Sequence, residues 1–273
     1  MRPIVIDEPK LSPLGLGAGR IGSFNNPQPL SESIRLLRAA LDMGVTTLDT
    51  SNIYGQGDSE KAIGAVLAGA GRDRAFVITK GGRVFSPKAR ALSWLKPVVR
   101  PLLAMRSKGT SVTAKRGEVL GFDWSPQALV KSLDGSLRRL RTDRVDGFIL
   151  HSPPASVAAD PAVGEALSSM KKAGKARHVG FSCDDAEALV AALAVPETTM
   201  LELPVDLMPV LRQHAGDVQA RGIIVIAREV IRMRPDLPPV QAVRTCIDDP
   251  LVASALIGTT KIAHLAEIAK ALH

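Results

Sequence analysis

Short runs of β-branched and aliphatic residues alternate along the chain with stretches in which apolar residues recur at helical spacing. This rhythm predicts a parallel sheet with helices packed outside it. Eight runs fit the strand pattern, over 13–17, 45–49, 75–79, 145–150, 177–181, 199–203, 223–227 and 252–257. Most are continuously apolar, as strands covered on both faces are, and none shows the clean two-residue alternation of an antiparallel sandwich. Ser31 is expected to cap a helix whose Ile34, Leu37 and Leu41 share one stripe, with Gly44 as its left-handed stop. Ser125 followed by Pro126 reads as an N-cap with proline at the first helical position, and Leu129, Leu133, Leu137 and Leu140 extend that helix over 126–140. Ile262, Leu265, Ile268, Ala269 and Leu272 mark a closing amphipathic helix. Eight strand–helix units in 273 residues predict an α/β fold of the (β/α)8 TIM-barrel type, a single domain over 1–273.

One connection breaks the rhythm. The stretch from Gly81 to Ser125, after the third strand, is far longer than the usual two to six residues of a βα loop and reads as an insert. It carries nine basic residues against two acidic ones, a local +7 that accounts for most of the chain's formal +8. Charge gathered in one insert differs from the basic face or recognition element of a nucleic-acid binder, so no nucleic-acid partner is expected. Within it, residues 92–108 read as an amphipathic helix broken by Pro97 and Pro101. As a βα loop, the insert is expected to leave the C-terminal face of the barrel, where sites of this fold lie.

Composition adds little beyond exclusions. Apolar residues make up 45% and charged ones 23%, enough to bury a core without metal or disulfide staples. Cys183 and Cys246 form no metal-ligand pattern, which fits a reducing compartment and argues against structural zinc. No apolar run approaches the length of a membrane span and no leader pattern opens the chain, so a cytoplasmic protein beginning near Met1 is expected, as a monomer or weak oligomer.

The candidate chemistry sits at strand ends. Asp49 closes the second strand and Tyr54 lies on the loop leaving it, Lys80 ends the third strand, and His151 ends the fourth. Taken singly, each has an ordinary reading: a turn cap, a packing aromatic, two rim residues. Together, delivered to one rim by successive strands, they form a specific set. A phenol is a poor acid at neutral pH, but an ammonium beside it stabilises the phenolate, and a carboxylate behind the lysine keeps that lysine charged. His151 could then donate a hydrogen bond to a carbonyl oxygen. Tyr54 is also the only tyrosine in the chain.

The segments 44–55, 78–80, 132–140, 143–146, 150–153, 174–182 and 257–261 together resemble the aldo-keto reductase superfamily, in order along nearly the whole chain. The resemblance implies a barrel that binds NADPH, rather than NADH, without a Rossmann domain, and uses Asp49, Tyr54, Lys80 and His151 as its catalytic four. It also implies cofactor contacts from Gly17, Ser182, Cys183, Glu202, Arg228, Gly258, Thr259, Thr260, Lys261, His264 and Glu267. Three departures stand out: Cys183 replaces the usual asparagine, Glu202 the usual glutamine and Ile268 a frequent asparagine. Arg228 stands where an aromatic ring often stacks under the nicotinamide, and its charge beside an oxidised ring would favour reduction. A salt bridge to Glu229 is its ordinary alternative.

These readings lead to an NADPH-dependent reductase acting on a small aldehyde or ketone. The same machinery run in reverse, as a sugar or alcohol dehydrogenase, is the nearest alternative; Phe122-Asp123-Trp124-Ser125 and the long insert resemble the aldose dehydrogenase branch. A cofactor-binding regulatory protein with vestigial turnover is the third reading.

Overall fold

The computed structural model describes residues 11–22, 29–85 and 120–272. Eight strands close a parallel barrel: β1 (Leu14–Gly17), β2 (Thr47–Asp49), β3 (Phe76–Gly81), β6 (Val145–His151), β7 (Ala176–Ser182), β8 (Met200–Pro204), β9 (Ile224–Arg228) and β10 (Ser254–Ile257). Their order around the barrel is β1, β10, β9, β8, β7, β6, β3, β2. All eight runs read from the sequence are therefore strands of one barrel. The two remaining strands, β4 (Arg83–Phe85) and β5 (Leu120–Phe122), pair antiparallel with Arg83 opposite Phe122. They form the two ends of the basic insert, a hairpin base that the hydrophobic pattern did not reveal. Residues 86–119, including the expected broken helix, lie outside the described residues.

The outer layer contains α1 (Leu30–Asp42), α2 (Asp58–Ala70), α3 (Pro126–Leu140), α4 (Ala155–Ala158), α5 (Pro161–Lys172), α6 (Ala186–Ala194), α7 (Met208–Gln213), α8 (Ala215–Ala220), α9 (Pro239–Ile247) and α10 (Ile262–Leu272). In α3 the Ser125 side chain accepts from the Ala128 amide at 3.4 Å, so the expected cap and boundaries are both present. In α1 the expectation is corrected. The helix begins at Leu30 after Pro29, with no side-chain cap, and Ser31 lies inside the first turn. The Glu32 amide, one of the first-turn donors that a capping side chain would otherwise satisfy, donates to the Pro29 carbonyl at 3.1 Å. Gly44 does take the left-handed conformation, at φ 79°. Among the described residues, no helix is long and apolar enough to cross a membrane.

Strand side chains alternate between two apolar layers. Outward residues such as Leu16, Leu48, Val77, Phe148, Leu150, Val179, Phe181, Leu201, Leu203 and Val225 join the helices in one large cluster. Inward residues Phe76, Ile78, Ile149, Met200, Ile224, Ile226 and Leu256 fill the lower barrel as a separate cluster. On β3, β6, β8 and β9 both faces are thus apolar at this level, and the period of two disappears from the sequence. Two buried polar ties secure the outside: Asp146 holds Arg72 at 2.6 Å and the Val77 amide at 2.8 Å, and Glu60 holds Arg139 at 2.5 Å and the Thr79 hydroxyl at 2.8 Å.

Closure of the barrel demands one very close approach. A Cβ on Gly180, in β7, would lie 1.8 Å from the main-chain oxygen of Met200 in β8. No rotamer change relieves a clash with backbone, so Gly180→Ala is expected to cost at least about 3 kcal/mol, measured by urea denaturation. A cost under about 1 kcal/mol would mean that these strands part without penalty.

Candidate active site

The site is the upper continuation of the inward-pointing layer. Two residues beyond Ile78 on β3 is Lys80; two beyond Ile149 on β6 is His151; two beyond Met200 on β8 is Glu202; two beyond Ile226 on β9 is Arg228. On β2, Asp49 follows Thr47 by the same step, and Ser182 closes β7. Side chains two apart on a strand share a face. Apolar residues therefore seal the barrel below, and the next inward position on successive strands is polar or charged.

Lys80 is fully buried at the centre. Its ammonium donates to Asp49 and, at 3.3 Å, to the Thr50 carbonyl. It lies 3.1 Å from Glu202 Oε2. That second contact is an ion pair without hydrogen-bond alignment, since Glu202 Oε2 accepts no hydrogen bond among the described residues. Glu202 Oε1 accepts from the Ser182 hydroxyl at 3.2 Å and stands 3.6 Å from Arg228 Nε. Register explains the meeting, because Ser182 and Glu202 are directly paired across β7 and β8.

Tyr54 overhangs this group from a short turn, Tyr54–Gly57, in which Gly55 and Gln56 take φ near 57° and 59°. The Lys80 ammonium is 5.5 Å from the Tyr54 ring centroid, and the His151 ring meets the phenol ring edge-on at 5.7 Å. Gly19 leaves room on another side: a Cβ there would touch Tyr54 Cζ at 3.6 Å. Below the turn, Thr50 and Ser59 share a hydrogen bond of 2.8 Å, and Ser59 donates to the Ala18 carbonyl. His151 Nδ1 is 3.0 Å from the Ser51 hydroxyl, and its carbonyl accepts from Arg83 Nε at 3.2 Å. The structure thus brings together all four of Asp49, Tyr54, Lys80 and His151. Ser51, Arg83 and Asp184 were not singled out from the sequence, although Ser51 continues the inward parity of Thr47 and Asp49.

Burial governs the proton affinities. Burial and the Glu202 charge raise the Asp49 carboxyl against the opposing pull of Lys80. Burial disfavours the Lys80 ammonium, but the charges of Asp49, Glu202 and Tyr54 outweigh it and hold the lysine protonated above its ordinary range. Tyr54 is pushed up to about 12, first by burial and then by Asp49 and Glu202, with Lys80 acting in the opposite sense. Lys80 favours the phenolate, as expected, but burial outweighs it and the two carboxylates add to the rise. His151 is driven well below its ordinary value by burial and then by Lys80, Arg83 and Arg228.

The expected cofactor contacts divide into two groups. Gly17 ends β1 beside Asp49, and Ser182, Glu202 and Arg228 line the upper barrel. Cys183, one residue beyond β7, is instead packed in the outer apolar cluster, where burial raises its thiol to about 12. Arg228 bonds to Asp184 and to the Cys183 carbonyl at 3.1 Å, and lies 3.4 Å from Glu229. Asp184, Glu202 and Glu229 flank its guanidinium and offset part of its charge. At the other end, Gly258, Lys261, His264 and Glu267 are exposed, with Thr259 and Thr260 half-buried, around the start of α10. Thr259 Oγ1 accepts from the Lys261 amide at 3.1 Å. Ile268 is buried with Leu265 and Ala269, so its apolar character serves packing. Three non-glycine residues with left-handed backbone, Gln56, Ser152 and Glu229, follow strand ends at this rim. Among the described residues, no group of His, Cys, Asp and Glu could hold a metal ion.

The Aldo/keto reductase family model matches residues 13–234. The chain is 28% identical over 225 residues to D-threo-aldose 1-dehydrogenase of a Pseudomonas species, covering 77% of this chain but 65% of that protein, so it spans less than two thirds of this relative. A solved aldo-keto reductase structure from Pseudomonas aeruginosa superposes with a TM-score of 0.74 at 25% identity, over 100% of this chain and 96% of the other. An aldo-keto reductase from Klebsiella pneumoniae, solved in complex with NADPH, shares the fold at a TM-score of 0.65 and 20% identity, over 96% and 86%. With the barrel, the order of its strands and a match over most of its length, the chain belongs to the aldo/keto reductase family.

Proposed function

We propose that this chain is an NADPH-dependent oxidoreductase that reduces an aldehyde or ketone, with Tyr54 as proton donor. The observation that carries the reading is the buried Lys80–Asp49 pair beneath the Tyr54 ring, with His151 set edge-on to the same phenol. Bound NADPH would supply the hydride. The chain's own part is to receive the carbonyl between Tyr54 and His151 and to deliver a proton from the Tyr54 hydroxyl to its oxygen as charge develops there. Lys80, kept charged by its carboxylates, steadies the phenol side of that transfer. His151, neutral by burial, donates from Nε2 if the Ser51 hydroxyl donates to Nδ1.

The residues present suit such a cofactor at both ends. Ser182 donates to Glu202 and keeps lone pairs free to accept from a carboxamide NH2. Exposed Lys261, beside the start of α10, supplies a cation where a 2′-phosphate would need one. The NADPH complex of the Klebsiella relative supports the same choice. The name of the Pseudomonas relative supports the reverse reaction, oxidation of a sugar by the same groups; initial rates in each direction distinguish the two.

Three outcomes are expected. Tyr54→Phe lowers NADPH-dependent aldehyde reduction by at least about a hundredfold, in the range of general acid catalysis, while NADPH binding followed by fluorescence is retained; undiminished turnover would remove Tyr54 from the reaction. Lys261→Ala weakens NADPH by roughly tenfold, about one charge-assisted contact, and leaves NADH unchanged; equal losses would place the 2′-phosphate elsewhere. Long-range proton–nitrogen correlation spectra show His151 neutral with its proton on Nε2 below pH 6.5. Because the unfolded histidine takes up a proton near pH 6.5 and the folded one does not, its contribution to stability falls as pH drops below that value and is level above it. A charged imidazole at pH 6 would contradict this assignment.

A further inference from the structure

Glu202 is a buried carboxylate that the proton transfer described above does not use. Two observations define its position. It is 2% exposed, with Oε2 3.1 Å from the Lys80 ammonium and without a hydrogen bond. Its other oxygen is held by the Ser182 hydroxyl at 3.2 Å and faces Arg228 at 3.6 Å. Ser182 from β7 and Arg228 from β9 therefore fix the side chain from both neighbouring strands, and its free oxygen is turned toward the lysine. Lys80 already has a carboxylate partner in Asp49 on the opposite side.

From this geometry we infer that Glu202 is a second counter-ion for Lys80, a positioning residue that acts through the lysine to hold Tyr54 in its protonated, donating form. The inference rests on the assignment of Tyr54 as the proton donor. At the alkaline pH where the phenol ionises, Asp49, whose carboxyl is raised by burial to about 8, is charged together with Glu202, and each offsets the attraction of Lys80 for a phenolate. The charged and titratable groups around the phenol are Asp49 from β2, Lys80 from β3, His151 from β6, Glu202 from β8 and Arg228 from β9. Of these, His151 stays neutral, and the more distant Arg228 is engaged by Asp184 and Glu229. The phenol is displaced upward chiefly by burial, and Asp49 and Glu202 each add to the rise. The functional consequence is directional. Carbonyl reduction needs the phenol with its proton, whereas alcohol oxidation needs the phenolate to take one up. Glu202 thus extends the pH range open to reduction and moves the onset of oxidation to more alkaline pH.

The single tyrosine makes this testable without turnover. Tyrosinate ultraviolet absorbance of the cofactor-free protein reports Tyr54 alone, with circular dichroism at each pH confirming that the chain is folded. Glu202→Gln, which keeps the shape and removes the charge, is expected to lower the ionisation midpoint by about one pH unit or more and to shift the onset of alcohol oxidation downward with it. Glu202→Asp, which restores the charge one methylene further from Lys80, gives a smaller fall, and stands in should the glutamine variant fold poorly. A midpoint unmoved in both folded variants would overturn the role assigned to Glu202. If Tyr54→Phe removed turnover while the midpoint stayed unchanged in the Glu202 variants, the reductase reading would stand and this inference alone would fail. A shifted midpoint in a protein without turnover would show the reverse.

Discussion

A lysine with no access to water constrains everything around it. Desolvating an ammonium costs several kcal/mol unless opposite charge and hydrogen bonds replace the lost water. Lys80 meets that demand with Asp49 from the preceding barrel strand, the Thr50 carbonyl and Glu202 from across the barrel. Each partner must in turn be held in register, which ties β2, β3 and β8 to one geometry. The upper barrel is therefore an electrostatic structure resting on an apolar one. Removing a single charge would leave another uncompensated, so the members of this group behave as a unit and their effects should not add.

Much of this was legible in the chain. The eight strands, the helix over 126–140 and the convergence of Asp49, Tyr54, Lys80 and His151 all follow from apolar runs and from what stands at their ends. The inward parity was hidden, because Phe76 and Val77, or Ile224 and Val225, are equally apolar on opposite faces. It emerges only in the last two residues of a strand, where Ile78 gives way to Lys80 and Met200 to Glu202. Glu202 was visible as an unusual acid, yet its meeting with Lys80 depends on barrel closure between strands far apart in sequence. Cys183 was read as a cofactor contact, and its burial in the main apolar cluster carried no signal in the sequence.

Contacts supplied by loops were the least legible. Arg83 reaches the His151 carbonyl, while Asp184 binds Arg228. Neither pairing has a periodic signal, since loop geometry sets both. The antiparallel pairing of β4 with β5 was invisible for a related reason: each strand is three residues long, too short for alternation to register. At its root Phe122 stacks on Trp124 and faces the Arg83 guanidinium, which links the insert's ends to the wall of the site.

The left-handed residues after three strand ends bear on how this barrel can change. Gln56, Ser152 and Glu229 each hold a backbone conformation that glycine adopts freely and other residues adopt at a cost of order 1–3 kcal/mol. The cost is spent where strands turn outward over the site, and none of it lies in the apolar floor. The simplest stabilising changes available to the molecule are therefore glycines at its own mouth. They would loosen the turns that aim Tyr54 and position Arg228, so thermal robustness and a well-ordered site draw on the same few positions and pull them in opposite directions.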